Sequence, residues 1–276
     1  MTLQLPPLGM GTWGMGGAFV KDASNFAASI AALRFGFGLG IRLVDVAELQ
    51  GEGLAERIVG EAIKGFPRKD ICIVTKVSRD HLSYDGVLRA AEGSLERLGT
   101  DYIDLYLVHK LPPDDPVPHE ATFTVLESLI KSGLVRHIGV SNFSAEQLKR
   151  AASYMQEGRI EANEIEYNVL YQEAGGEIIP YCKQNSIRVI AHRPFGKGAL
   201  FKEPIPLLAA LAERYRKTPA QIALNWLISQ DITAIPKAQN EAHIQENLGA
   251  LGWRLSDEDI ESLRKLDGFS PYEKIK

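Results

Sequence analysis

Short apolar runs alternate with longer helical patterns along these 276 residues, and that alternation limits the fold more than any other feature. Apolar residues dominate the runs at 41–45, 71–76, 103–109, 135–140, 187–191 and 232–236. Such runs fit strands that are covered on both faces, as in a parallel sheet. Two weaker candidates, 8–13 and 164–168, bring the expected number to eight. Helical spacing fills the gaps, at 24–39, 53–64, 83–98, 144–155, 175–184, 206–216, 219–229, 243–251 and 256–266. Ser24, Ser83, Ser144 and Ser256 stand as N-caps, and Ser144 with Gln147 has the spacing of a capping box. Strand and helix in turn, repeated about eight times, predict an α/β fold, a (β/α)8 TIM barrel, as one domain over residues 1–276.

An open doubly wound sheet is the rival. It usually carries a glycine-rich fingerprint at its first strand–helix turn. GMGTWG at 9–14 has that spacing, but no long strand precedes it and no long helix starts there. These glycines read instead as a tight entry into the barrel, close to a ligand. The 45% hydrophobic content is enough to fill a large core. Net charge is −4 with no basic stripe, which argues against nucleic acid and acidic membrane surfaces. Cys72 and Cys182 lack metal-ligand spacing and read as reduced, buried thiols, and no metal site is expected. The first residues lack a basic stretch followed by an apolar run, and no apolar stretch is long enough to span a bilayer. The expectation is a soluble cytoplasmic protein.

In barrels of this kind, the residues that end the strands face the ligand. Asp45, Lys76 and His109 end three successive runs. Ser141 and Asn142 follow the next, His192 and Arg193 a later one, and Lys237 the last. Each has an ordinary alternative as a cap or a rim residue, but three titratable groups on consecutive strands point to a site. Trp13 could line a substrate pocket, Trp253 could be core or pocket, and the stiff proline-rich stretch 111–118 is expected to wall one side.

Ordered motifs add a resemblance. They are LGMGTWG at 8–14, DVAE at 45–48, VTK at 74–76, DLYLVH at 104–109, GVSNF at 139–143, EIEYN at 164–168, IPKA at 235–238 and ENL at 246–248. Along essentially its whole length the chain resembles the aldo-keto reductase superfamily. The resemblance implies a metal-free, monomeric barrel that holds an extended NADPH or NADH and reduces a small carbonyl or quinone substrate. It also implies a catalytic set of Asp, Tyr, Lys and His, three of which match Asp45, Lys76 and His109. The tyrosine position is Gln50, in DVAELQG. An amide donates a hydrogen bond but does not release a proton at neutral pH. His109 is then the expected replacement donor, with the Lys76 cation as a second contact for the carbonyl oxygen.

By the same resemblance, Ser141, Asn142 and Glu164 hold the nicotinamide carboxamide. Glu164 replaces a usual glutamine, and a carboxylate there only accepts. His192 stands where a stacking tyrosine is common, followed by Arg193 and Pro194. Gly11, Thr12 and Trp13 line the entry, and Asp45 also faces the cofactor. Lys237 remains for a 2′-phosphate, but His243 replaces the arginine, so NADPH is favoured only slightly. Glu246 and Asn247 match positions near adenine. Two other readings stay open: a catalytically impaired NAD(P)H-binding barrel that serves as a sensor or binding partner, and a barrel recruited to non-redox chemistry.

Overall fold

The computed structural model describes residues 3–266, so residues 1–2 and 267–276 of the expected domain lie outside the described residues. Eight parallel strands pair in chain order. They are β1 (Met10–Gly11), β2 (Leu43–Asp45), β3 (Cys72–Val77), β4 (Ile103–Val108), β5 (Val135–Ser141), β6 (Ala162–Glu166), β7 (Arg188–His192) and β8 (Thr233–Ala234). The sheet curls. Parallel bridges also join Leu8 to Ala234 and Gly11 to Lys237, and Gly9 N donates to Ala234 O at 2.9 Å.

Among the described residues, ten helices pack between and after the strands: α1 (Phe26–Gly38), α2 (Leu54–Ile63), α3 (Tyr84–Leu98), α4 (Glu120–Lys131), α5 (Ala145–Ser153), α6 (Ile178–Gln184), α7 (Pro206–Tyr215), α8 (Pro219–Ile228), α9 (Glu241–Leu248) and α10 (Asp257–Arg264). None of the described helices is long and apolar enough to cross a membrane.

Side chains alternate across a strand, so residues two apart share a face. Leu43, Val74, Leu105, Leu107, Ala162 and Ile190 form a separate buried cluster with Ile235. Leu3 and Leu5 join it from the chain's start. Leu3 N is tied to Glu161 Oε2 at 3.2 Å. Small residues make room for large ones: a Cβ on Gly139 would lie 2.8 Å from Leu107 Cδ2, and one on Gly9 2.2 Å from Leu43 Cδ2. Two residues beyond members of this apolar layer, on the same faces, stand Asp45, Lys76, His109, Glu164 and His192. The interior layer therefore sets which side chains emerge at the C-terminal ends of the strands.

Three expectations need correction. The sixth strand lies two residues earlier than the run 164–168, because β6 registers Gly139 against Ala162 and places Glu164 opposite Ser141. The first helix is not capped by Ser24: Asp22 accepts from Ser24 N over a 3-10 turn, and α1 starts at Phe26. Helix α4 was absent from the expected set, although Phe123, Leu126 and Leu129 fall at helical spacing and are buried. The prolines at 112, 116 and 118 obscure its start. The other strands and helices lie within a few residues of their expected bounds. Ser144 and Gln147 do form the capping box of α5. Cys182 is buried, and Cys72 is half-buried with its thiol pushed up to about 12 by desolvation.

Candidate active site

Lys76 centres the site. It is 2% exposed, and its Nζ donates to Asp45 Oδ2 and to Val46 O at 3.2 Å. Glu164 Oε2 lies 3.1 Å from the same Nζ, yet it takes part in no well-aligned hydrogen bond. Desolvation pulls the ammonium down, but Asp45 and Glu164 outweigh it and hold Lys76 above the ordinary lysine value. Burial, with the Asp45 charge beside it, pushes the Glu164 carboxyl well above the usual carboxylate range. That direction favours a proton on Glu164, and a protonated carboxyl, unlike the expected acceptor-only carboxylate, has one donor.

Gln50 is 5% exposed and follows β2 in a short 3-10 turn. Thr12 Oγ1 lies 2.6 Å from Gln50 Oε1 and 2.9 Å from Asp45 O, so one hydroxyl proton serves two acceptors and ties the entry loop to both. Gly51 follows with φ +55, and a Cβ there would lie 2.1 Å from Gly16 O. Only glycine lets the loop press that close. Glu48, in the DVAE motif, accepts from Ser78 N at 2.6 Å and from His81 Nδ1 at 2.9 Å, which fixes the loop behind Gln50. Glu48 was given no role from sequence, and its place in the motif was the available signal.

His109 follows β4 and is half-buried. Desolvation, then the Lys76 and Lys110 charges, push its imidazole down to about 3. It is neutral at physiological pH. A neutral imidazole can offer one N–H to an oxygen.

Asn142 has φ +61 and its side chain is held by Ser141 Oγ at 2.8 Å and His109 O at 3.3 Å. His192 Nε2 meets Asn142 Oδ1 at 3.1 Å. Burial, then nearby Arg193 and Lys76, push His192 down to about 3. Arg193 turns outward, with its Nη1 2.6 Å from Glu166 Oε2, and Pro194 behind it is buried. Gly11 and Thr12 are buried at the end of β1, while Trp13 is 42% exposed and meets Phe19 edge-on at 5.2 Å.

The remaining candidates sit apart from this cluster. Lys237 follows β8 with its Nζ close to Gly14, where an added Cβ would lie 3.4 Å away. Burial lowers its pKa. His243 is exposed in the first turn of α9, whose N-cap is Asn240. Glu246 and Asn247 lie further along α9, Asn247 being buried. Trp253 packs on Tyr215 at 5.3 Å and bonds Gly249 O at 2.9 Å, which makes it packing between helices rather than pocket lining.

A buried lysine–aspartate pair, a neutral histidine and an amide meet at strand ends, and the aldo/keto reductase family profile matches residues 7–268. The chain belongs to the aldo/keto reductase family. It is 33% identical to Methylglyoxal reductase YeaE of Escherichia coli (strain K12), over 95% of this chain and 91% of that protein. The crystal structure of the thermostable aldo-keto reductase Tm1743 with the inhibitor epalrestat is similar, with a TM-score of 0.90 and 36% identity, covering 95% of each chain. An aldo/keto reductase from Klebsiella pneumoniae in complex with NADP and acetate matches with a TM-score of 0.85 and 33% identity, over 95% of this chain and 91% of that one. Membership in the aldo/keto reductases indicates oxidoreductase activity on small carbonyl compounds.

Proposed function

We propose that this chain is an NAD(P)H-dependent reductase of small aldehydes, ketones, vicinal dicarbonyls or quinones, with NADPH slightly favoured, that works without a tyrosine acid. The observation that carries this reading is the buried Lys76–Asp45 pair beside Gln50 and His109 at the strand ends. The methylglyoxal reductase relative supports dicarbonyls as the first substrates to test.

The residues present suit a nicotinamide nucleotide. Ser141 and Asn142 offer a hydroxyl and an amide at the end of β5, and the neutral Glu164 carboxyl can both donate and accept. Gly11, Thr12 and Trp13 at the end of β1, and His192, Arg193 and Pro194 at the end of β7, would complete the nucleotide's surroundings. Lys237 would hold a phosphate as a point charge, with His243, Glu246 and Asn247 beyond it towards the adenine. When bound, a reduced nicotinamide supplies the hydride. Lys76 contributes a fixed positive charge near the carbonyl oxygen, held in place by Asp45 and screened little by water. The Gln50 amide and the neutral His109 imidazole each donate one hydrogen bond to that oxygen as negative charge grows on it, and the alkoxide so formed takes its proton from water.

The bonds from Gly9 and Gly11 to the eighth strand support a closed (β/α)8 barrel, and we take residues 1–276 as one such domain. A monomer in the cytoplasm fits that reading. Loss of the tyrosine favours a second reading, a barrel that binds the nucleotide but turns over poorly. Titration of NADPH and NADH by cofactor fluorescence, followed by deuteride transfer to a dicarbonyl and a quinone panel, separates the two. Binding with transfer supports the reductase. Binding without transfer to any acceptor supports the second reading, and no binding overturns both.

A further inference from the structure

One buried ammonium faces two buried carboxyl groups in this site. Lys76, Asp45 and Glu164 are 2%, 5% and 4% exposed. Lys76 carries Asp45 as its hydrogen-bonded counter-ion. Glu164 Oε2 lies 3.1 Å from the same nitrogen, an ion-pair contact in which it makes no hydrogen bond. One cation cannot balance two carboxylates in a dry site, so a proton is favoured on the carboxyl that Lys76 does not hydrogen-bond, Glu164. The other groups around it do not supply a second cation. His109 from β4 and His192 from β7 are held neutral by burial and by Lys76 itself. Ser141 on β5, opposite Glu164, carries no charge. Glu166, two residues on, is engaged by Arg193. The neutral form of the cluster is Asp45 carboxylate, Lys76 ammonium and Glu164 acid.

A nicotinamide ring is uncharged when reduced and carries one positive charge when oxidised. We propose that Glu164 gives up its proton when an oxidised nicotinamide nucleotide occupies the site and keeps it when the reduced form does. This rests on the nicotinamide reading of the site given above. Only the Glu164 O–H bond breaks in the exchange. The proton goes to solvent, and the carboxylate left behind faces the ring's positive charge. Glutamine at this position would have no proton to release, so the coupling belongs to this chain's Glu164.

Linkage gives the size. If binding releases one proton, the affinity for the oxidised nucleotide rises up to about tenfold per pH unit until Glu164 is ionised in the free protein. The affinity for the reduced nucleotide stays flat over the same range. The test is calorimetric titration of the whole protein with NADP+ and with NADPH in buffers of different ionisation heat. The expected result is release of up to about one proton with NADP+ and almost none with NADPH. In Glu164→Gln both releases vanish, and the ratio of the two affinities becomes independent of pH. Infrared spectra of the free protein supply a readout without ligand: a protonated-carboxyl band at neutral pH that Glu164→Gln removes. Equal proton release for the two nucleotides overturns the proposal, as does unchanged release in Glu164→Gln. Absence of the band overturns it whether or not the protein reduces carbonyls. If the band is present and neither nucleotide binds, the nicotinamide reading has failed and the coupling falls with it.

Discussion

By the family resemblance Gln50 would stand where a tyrosine is expected, and its amide oxygen accepts from Thr12 Oγ1. Thr12 and the glycine at 51 fix its place, and neither contact needs a phenol. Restoring the acid should therefore act on chemistry. Gln50→Tyr is expected to raise turnover of a dicarbonyl by about 10²–10⁴-fold, the range of general acid catalysis, in steady-state assays with NADPH. Turnover equal to the parent protein's would show that Gln50 is not the missing acid's position. Lys76 behaves differently because burial couples it to stability. Lys76→Met leaves the buried Asp45 carboxylate without its cation, a change that typically costs about 3–5 kcal/mol. Protonating that carboxylate in the variant relieves the cost, so urea midpoints of parent and variant should lie closer at about pH 5 than at about pH 8. The identities at 45, 76 and 109 were legible in sequence because each ends an apolar run. The charge states were not: the upward shift of Glu164 and the neutrality of His109 arise from burial and from neighbours brought together across strands.

At the scale of elements, loops rather than strands needed the structure. The strands read clearly because buried parallel strands are continuous apolar runs. Helix α4 was missed behind its prolines, and β6 was read two residues late because its polar Asn163 and Glu164 interrupt the apolar pattern. The turn after β2 depends on backbone angles that no pattern of hydropathy reports. Residues 51, 52 and 53 all have positive φ. Gly51→Ala should destabilise the chain by more than the ~1 kcal/mol typical of an exposed glycine change, because a Cβ meets Gly16 O, and should lower turnover by moving Gln50. Thermal melts together with kcat measure the two effects. The cap of α5 offers a contrast. Ser144→Ala should cost about 0.5–2 kcal/mol of stability in urea unfolding while hardly changing turnover, since the cap bonds Gln147 rather than the site. A large loss of turnover would mean that α5 holds Asn142 in position.

The whole molecule carries an acid weakness that follows from its site. His109 and His192 both have folded-state values lowered to about 3, against an ordinary value near 6.5. Above about pH 6.5 the two states bind the same protons at these groups. As pH falls below that, the unfolded chain takes up protons that the folded chain refuses, so stability drops progressively down to about 3. Melting temperature followed from neutral to acid pH should show this slope, and His192→Asn should make it shallower. An unchanged slope in that variant would place the acid lability elsewhere. The packed apolar layer formed by Leu43, Val74, Leu105, Leu107, Ala162 and Ile190, with Leu3 and Leu5 beneath it, has a consequence for traffic. It seals the interior from the N-terminal side of the sheet. A small molecule bound at Lys76 would therefore exchange with solvent through the rim at the strand C-termini.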